Sequence, residues 1–103
     1  MINLERKLDK RLRELISITR KAGCCIIGQD NLKNYKKKLY LVLLDESAGN
    51  SLSREMHFLA DQKQIPIITV NDLEQSSGID KCKVIGIDNK KLSEKIEKYF
   101  KGE

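Results

Sequence analysis

The 103-residue chain has few aromatic side chains, no tryptophan and a single proline. Three tyrosines and two phenylalanines do not supply the aromatic platform on which many proteins stack unpaired bases. The sequence also lacks an apolar run of about 18 residues, so no segment is predicted to span a membrane. Its charged amino-terminal region lacks the apolar core of a signal peptide. These absences predict a cytoplasmic protein with a core of Leu, Ile and Val.

Cysteine is scarce as well, and its arrangement matches no disulfide or zinc pattern. Cys24 and Cys25 are adjacent, and Cys82 stands alone, so the C-x-x-C spacing of zinc ligands does not occur. We predict that all three are small buried apolar residues in a reducing compartment. The sequence therefore predicts no metal site and no cofactor.

A catalytic constellation is also missing from the sequence. P-loop, G-x-G-x-x-G and G-x-S-x-G motifs do not occur. Asp45 and Glu46 are adjacent acids, but side chains at consecutive positions of a chain diverge. His57 is alone within a predicted helix. We therefore predict that the protein is not an enzyme.

What the chain does contain is positive charge, and it is unevenly distributed. The net charge is +5. Residues 1–38 carry 11 Lys/Arg against 4 Asp/Glu, a net of +7, whereas residues 39–103 carry 9 against 11, a net of −2. Such asymmetry favours an anionic partner on one side of the molecule. A lysine-rich helix that only faces solvent remains the alternative explanation.

Apolar periodicity predicts five helices that alternate with four short strands. The first helix has an apolar stripe from Leu4 to Ala22 and stops at Gly23 in the left-handed conformation. A second helix opens at Gly28, with Leu32, Tyr35 and Leu39 at helical spacing. The predicted strands are 24–27, 39–44, 65–70 and 83–87. This order predicts one domain over residues 1–103, a three-layer α/β/α sandwich around a mostly parallel four-stranded sheet.

A short fourth helix is predicted from a capping box, with Asn71 as the cap and Glu74 reaching back to it. The fifth helix is predicted to be capped by Asp88 or Asn89.

Three loops are candidates for ligand binding, because ligands of open α/β sheets gather at strand ends. They are Gly28–Asn31, Asp45–Asn50 and Gly78–Lys81. In the first, a glycine opens a helix whose first turn is polar, and such a helix start in basic surroundings attracts phosphate. Asp30 or Asn31 is expected to cap this helix, leaving the other free for a ligand.

Several short motifs resemble the ribosomal large-subunit seven-Ae/thirty-e superfamily, most closely its small bacterial members. They are the helix Leu15–Gly23, a spacer and Gly28, followed by Leu41–Asp45, Ile65–Ile67 and Leu73–Gly78. The resemblance covers nearly the whole chain. It implies a three-layer α/β/α fold that binds RNA, most often kink-turns, as a ribosomal or ribonucleoprotein component.

In that superfamily a Gly-x-Asn-Glu run at the start of the second helix reads sheared G·A pairs. Gly28 matches the glycine and Gln29 the variable position, whereas Asp30 falls where the family has Asn and Asn31 where it has Glu. A carboxylate offers two acceptors to guanine and an amide one. Because phosphate contacts position and base contacts specify, the resemblance predicts RNA affinity with a lost or changed kink-turn specificity.

The predicted function is therefore non-catalytic binding of structured RNA, with ribosomal RNA and ribosome or assembly proteins as candidate partners. A protein-interaction module of the same fold is the alternative hypothesis. The substrate-recognition domain of an RNA methyltransferase is a third hypothesis. The predicted RNA-binding residues lie at the end of the first helix, around Gly28, along the lysine run and in the third loop: Arg20, Lys21, Gly28, Gln29, Asp30, Asn31, Lys33, Lys36, Lys37, Ile79 and Lys81.

Overall fold

The computed structural model describes residues 2–102, with side chains from residue 10 onward. Five helices alternate with four strands, which confirms the predicted order of elements. The helices are α1 (Ile2–Lys21), α2 (Gln29–Lys33), α3 (Asn50–Lys63), α4 (Leu73–Ser77) and α5 (Lys90–Lys101). The strands are β1 (Cys25–Ile27), β2 (Leu41–Asp45), β3 (Ile67–Val70) and β4 (Val84–Ile87).

The four strands form one mixed sheet in the order β1-β4-β2-β3. Only β2 and β3 pair in parallel, while β4 is antiparallel to both β1 and β2. The fold is therefore α/β as predicted, but the prediction of a mostly parallel sheet is wrong.

The short helix α4 explains the reversal of β4. A parallel crossover carries the chain back along the whole strand, usually through a helix, and only five of the 13 residues between Val70 and Val84 are helical. The five residues of α4 rise only about 7.5 Å, and the chain then re-enters the sheet where β3 ended. The backbone N–H of Asp45, the last residue of β2, donates to the carbonyl of Lys83, just before β4, at 2.8 Å.

Side chains of the central strands alternate between two buried clusters. Leu41 and Leu43 of β2 belong to one cluster, which includes apolar residues of α1, α4 and α5. Val42 and Leu44 belong to the other, which includes residues of α2 and α3. Because successive side chains of a strand point to opposite faces, the two helix groups contribute to opposite faces of the sheet.

The second helix is shorter than its apolar spacing predicts. It ends at Lys33, with Asn34 as the C-cap, although Leu32 and Leu39 are both buried. The Tyr40 backbone N–H donates to the Ile87 carbonyl at 2.8 Å, so the chain is already extended beside β4 at this point. Asparagine is a weak helix former, and Asn34 is the residue at which the helix ends.

The predictions for helix ends have mixed outcomes. Gly23 has φ of +73° just beyond α1, which confirms the left-handed stop. The capping box of α4 is wrong, because Asp72 is the cap and accepts a hydrogen bond from the Gln75 N–H. Asn89 caps α5 and accepts from the Leu92 N–H at 3.0 Å.

The apolar stripe of α1 is buried at Leu12, Leu15 and Ile16. Leu4 and Leu8 of the predicted stripe lie outside the described side chains, and Ala22 lies exposed beyond the helix.

The three cysteines differ in burial, contrary to the uniform prediction. Cys82 is buried, whereas Cys24 and Cys25 are half-buried on and beside the edge strand β1. Burial raises the pKa of Cys25 to about 11, so its thiol is protonated and unreactive at neutral pH.

Within the described part of the chain, no helix combines the length and apolarity needed to cross a bilayer.

Candidate functional site

The mixed sheet places all three predicted loops at one end. Strands β1, β2 and β3 finish at this end, and β4 begins there, as shown by the pairs Asp45 with Val70, Leu44 with Val84 and Ile27 with Ile85. We call it the loop end of the sheet. Gly28 follows β1, the loop from Asp45 follows β2, and the segment after Gly78 leads into β4. The strand reversal therefore brings the third loop to the other two, as a parallel β4 would not.

A pocket of about 260 Å³ opens at the loop end. We call it the loop-end pocket. It brings together four of the predicted RNA-binding residues, which are Gly28, Gln29, Ile79 and Lys81. Its remaining lining is Ile27, Leu52, Asp80, Cys82, Lys83 and Val84. Aliphatic side chains thus line its interior, and charged side chains from the segment before β4 surround it.

Gly28 turns the chain from β1 into α2 with φ of +94° and ψ of 152°, a backbone conformation available almost only to glycine. Its N–H donates to the Val84 carbonyl at 3.1 Å, which joins the turn to β4. Gly28 is itself the N-cap of α2, without a side-chain capping bond, so the expectation that Asp30 or Asn31 caps the helix is wrong. Asn31 Nδ2 instead donates to the Ile27 carbonyl at 2.7 Å.

Two predicted residues of α2 are held by an acid on α3. Gln29 Nε2 donates to Glu55, and Lys33 Nζ lies 2.8 Å from Glu55 Oε1. The hydrogen bond from Lys33 to Glu55 and the charge of that carboxylate raise the pKa of Lys33. The lysine is therefore a cation at neutral pH. Lys33 is about half exposed, so an anionic ligand would reach it only in competition with Glu55.

The segment that precedes β4 is fixed by carboxylates. Glu74 Oε2 accepts a hydrogen bond from the Lys81 N–H at 2.7 Å, which lowers the pKa of Glu74. A hydrogen bond shared with Glu74, and the charge of that carboxylate, raise the pKa of Asp80. Gly78 and Lys81 both have left-handed backbones, with φ of +74° and +58°. The exposed Lys81 side chain is thereby presented at the mouth of the pocket.

The buried Asp45 joins this segment to two other elements. Its Oδ1 accepts from the Leu73 N–H at 2.6 Å, and its Oδ2 accepts from the Ser47 N–H at 2.8 Å and from the Ser47 hydroxyl. Lys83 Nζ is 3.8 Å from Oδ2 and donates to Ser47 Oγ at 2.7 Å. Burial acts to raise the pKa of Asp45, but these hydrogen bonds and Lys83 outweigh it and hold the pKa below its ordinary value. Asp45 is a structural residue, as its full set of partners shows.

Lys36 and Lys37 do not reach the loop-end pocket. They lie beyond the end of α2, not on its exposed side as predicted, and line a groove along the outer edge of β1. We call this the β1 groove; it is lined by Cys25, Ile26, Ile27, Asn31, Asn34, Tyr35, Lys36 and Lys37. The Tyr35 hydroxyl donates to Asp88, which raises the pKa of Tyr35 to about 12 and fixes the lysine run beside the strand. Ile27 lines both features, so the groove and the pocket adjoin at this residue.

Arg20 lies on the other side of the segment before β4. Its Nη1 donates to the carbonyl of Ser77 at 3.1 Å, at the carboxyl end of α4. Lys21 is exposed in the last turn of α1 and lines none of these cavities. Asp30 is exposed at the second position of α2.

Sequence reasoning missed Glu55 and Gly86, and it identified Asp45 as part of a candidate loop but not as a residue that positions the site. Glu55 carries no sequence signal, because acids on exposed helix faces are common. Gly86 does carry one, since an isolated glycine in a strand indicates a close approach. A Cβ atom there would lie 2.2 Å from Leu32 Cδ2, so α2 sits directly on β4 at this point.

Among the described residues, no group of three or more His, Cys, Asp and Glu is arranged to hold a metal ion.

No protein-family model and no curated protein matches the chain. Among solved structures, a protein with unknown function from Bacillus halodurans C is similar, with a TM-score of 0.74 and 21% sequence identity. The match covers 87% of this chain and 96% of that one. At this identity the likeness shows the fold alone.

Proposed function

We propose that this protein is a non-catalytic, cytoplasmic RNA-binding protein of ribosomal or ribosome-associated type. It binds structured RNA through the loop-end pocket and the adjoining β1 groove. The observation that carries the proposal is the juxtaposition of the Gly28 turn with the segment Ile79–Lys83. Lys81 and Lys83 line the pocket, and Lys36 and Lys37 line the β1 groove. Lys33 lies in the last turn of α2.

The chemistry of the pocket suits an RNA in which a base is unpaired. Ile27, Leu52 and Ile79 offer aliphatic surface to the face of a base, and Lys81 and Lys83 offer charge to the adjacent phosphates. Sequence-specific RNA recognition commonly uses bases released from a helix in this way. The pocket is small, so the remaining contacts fall on the phosphodiester backbone, which Lys36 and Lys37 contact along the β1 groove.

The scaffold we infer for this site is a three-layer α/β/α sandwich, supported by the two buried clusters to which different helices contribute. The RNA we infer is one with a kink-turn, in keeping with the motif resemblance. Asp30 is the candidate base reader, because its carboxylate is exposed beside Gly28 and has two acceptors for the paired donors of guanine. Asn31, which donates one amide N–H to the Ile27 carbonyl, keeps its oxygen and its second N–H for RNA.

Titration with RNA at several salt concentrations tests the proposal. The RNAs are a kink-turn stem, a plain duplex of equal length and a ribosomal RNA fragment. We expect affinity that falls steeply with salt, because bound lysines displace counterions from phosphate. Lys36→Glu/Lys37→Glu should weaken binding at least about tenfold and reduce the slope of log K against log salt by about 2.

Lys95→Glu/Lys98→Glu is the matched control, because both lysines are exposed on α5, which contributes to the cluster on the opposite face of the sheet. The control should bind RNA more tightly than the Lys36/Lys37 variant. Preference for the kink-turn over the duplex would support base reading by Asp30, and Asp30→Ala should then remove that preference. Equal affinity for the kink-turn and the duplex would indicate that the protein binds the RNA backbone without reading bases. Failure of the wild-type protein to bind any of the three RNAs would refute the proposal and favour the protein-interaction alternative.

A further inference from the structure

A second basic groove adjoins the segment that lines the loop-end pocket. It runs between α1 and α4, has a volume of about 470 Å³, and we call it the α1–α4 groove. It is lined by Lys10, Arg13, Glu14, Ser17, Arg20, Ser76, Ser77 and Gly78. Three cations and one carboxylate give this lining a net positive charge.

The cations of the groove form a row along one face of α1. Lys10, Arg13, Ser17 and Arg20 are spaced by three, four and three residues, which places them on the same side of a helix. At 1.5 Å per residue the row is about 15 Å long. Lys10 and Arg13 are exposed, and neither forms a salt bridge with another of the described side chains. A row of this length and charge is complementary to several consecutive phosphates.

The groove and the pocket share one segment of chain. Ser77 and Gly78 line the α1–α4 groove, and Ile79 to Lys83 line the loop-end pocket. An RNA held at the pocket would therefore meet the groove as it passes over Gly78. The carbonyl at the carboxyl end of α4 would repel phosphate, but Arg20 Nη1 donates to the Ser77 carbonyl and offsets that charge.

We propose that the α1–α4 groove binds the phosphodiester backbone of the same RNA beyond the loop-end pocket, with Lys10 and Arg13 as its phosphate contacts. This inference rests on the proposed function and extends the RNA footprint to a surface outside the predicted site, except at Arg20. Contacts of this kind carry no base specificity and add affinity that depends on salt.

RNA length provides the test. A minimal kink-turn stem is compared with two longer RNAs, each extended by one turn of duplex on one of its two arms. We expect one extension to strengthen binding by the wild-type protein about tenfold or more at low salt, as two added phosphate contacts would. Lys10→Ala/Arg13→Ala should abolish that gain, lower the salt slope for the long RNA by about 1.8, and leave binding of the minimal stem unchanged.

Arg11→Ala/Lys95→Ala is the control, because it removes two cations from a separate groove between α1 and α5. This variant should keep the gain. The inference is overturned if neither extension strengthens binding, or if Lys10→Ala/Arg13→Ala keeps the gain. If the inference is overturned in either way, binding of the minimal stem would still support the proposed function. Absence of binding to the minimal stem would overturn both the inference and the proposed function. Equal urea midpoints for the two variants and the wild type would show that their folds are intact.

Discussion

Neighbouring side chains at the start of α2 differ in how free they are to meet a ligand. Gln29 and Asn31 both donate hydrogen bonds within the protein, to Glu55 and to the Ile27 carbonyl. Asp30 lies between them and is exposed. Because a polar side chain already bound within the protein must give up that bond before it contacts RNA, Asp30 is the residue of this turn best placed for base reading.

Gly28 is the residue on which the geometry of this turn depends. Its φ of +94° with ψ of 152° is a conformation that residues with a Cβ atom rarely adopt. A Cβ atom at Gly28 would meet no other atom within 4 Å, so the cost of Gly28→Ala is backbone strain alone. We expect a loss of about 1–3 kcal/mol in the free energy of unfolding, measured by urea denaturation.

Gly49→Ala is the matched control for this prediction. Gly49 caps α3 with φ of −63°, and a Cβ atom there is also free of contacts. The lower entropy of the unfolded chain favours alanine by about 0.4–1 kcal/mol, which offsets the weaker capping preference of alanine. Equal destabilisation by the two substitutions would contradict the assignment of strain to Gly28.

At the scale of elements, the sequence predicts the order of helices and strands but not the direction of β4. Apolar runs such as Leu41 to Leu44 identify buried strands, and each lies close to its predicted position. Direction depends on the path of the connecting chain, and the connection from Val70 to Val84, of which only α4 is helical, enters β4 at the end of the sheet where β3 finishes. The length of α2 is overestimated for a related reason, since Leu32 and Leu39 are both buried but only Leu32 lies in the helix.

The position of α2 on the sheet depends on the contact between Leu32 and Gly86. Adding a Cβ atom at Gly86 would place it 2.2 Å from Leu32 Cδ2 and 3.3 Å from Leu39 Cδ2. Because Leu32 is fully buried, its side chain has little room to move. We expect Gly86→Ala to lower the free energy of unfolding by about 1–3 kcal/mol through overpacking.

A double-mutant cycle isolates this contact. Leu32→Ala alone should cost about 2–5 kcal/mol through the cavity that it leaves. In the double variant Leu32→Ala/Gly86→Ala the added methyl group occupies part of that cavity, so the total loss should be smaller than the sum by about 1 kcal/mol or more. Losses that add within about 0.5 kcal/mol would show that the two residues are not coupled.

Across the whole molecule, the predicted site divides into surfaces that the sequence could not separate. The sequence predicts three candidate loops, and the structure places all three at one end of the sheet. Local spacing places the lysine run on the same helix as Gly28, but α2 ends at Lys33, so Lys36 and Lys37 line the β1 groove. Long-range partners such as Glu55 and Asp88 determine where these side chains lie, and local spacing contains no information about them.

The stability of the molecule as a whole should depend on the ionisation of Asp45, which links β2, α4 and the segment before β4. Its pKa in the folded protein lies below the ordinary value, about 3.9 in an unfolded chain. The stabilisation is therefore fully present above the unfolded pKa and is lost as the pH falls through the folded pKa, because the unfolded chain takes up the proton first. Asp45→Asn replaces one carboxylate oxygen with an NH2 group. That group would face the N–H and hydroxyl donors that the carboxylate accepts from in the wild type. At pH 7 we expect the substitution to lower the free energy of unfolding by about 2–3 kcal/mol.

Urea denaturation of the wild type and Asp45→Asn between pH 7 and pH 3 tests this dependence. The difference between them should be constant above about pH 5 and narrow below about pH 4, where the wild-type carboxyl also becomes neutral. Asp30→Asn makes the same chemical change at an exposed site and should alter stability by no more than about 0.5 kcal/mol. A difference for Asp45→Asn that stayed constant to pH 3 would mean that its cost comes from shape and hydrogen-bond geometry, not from the loss of a carboxylate charge.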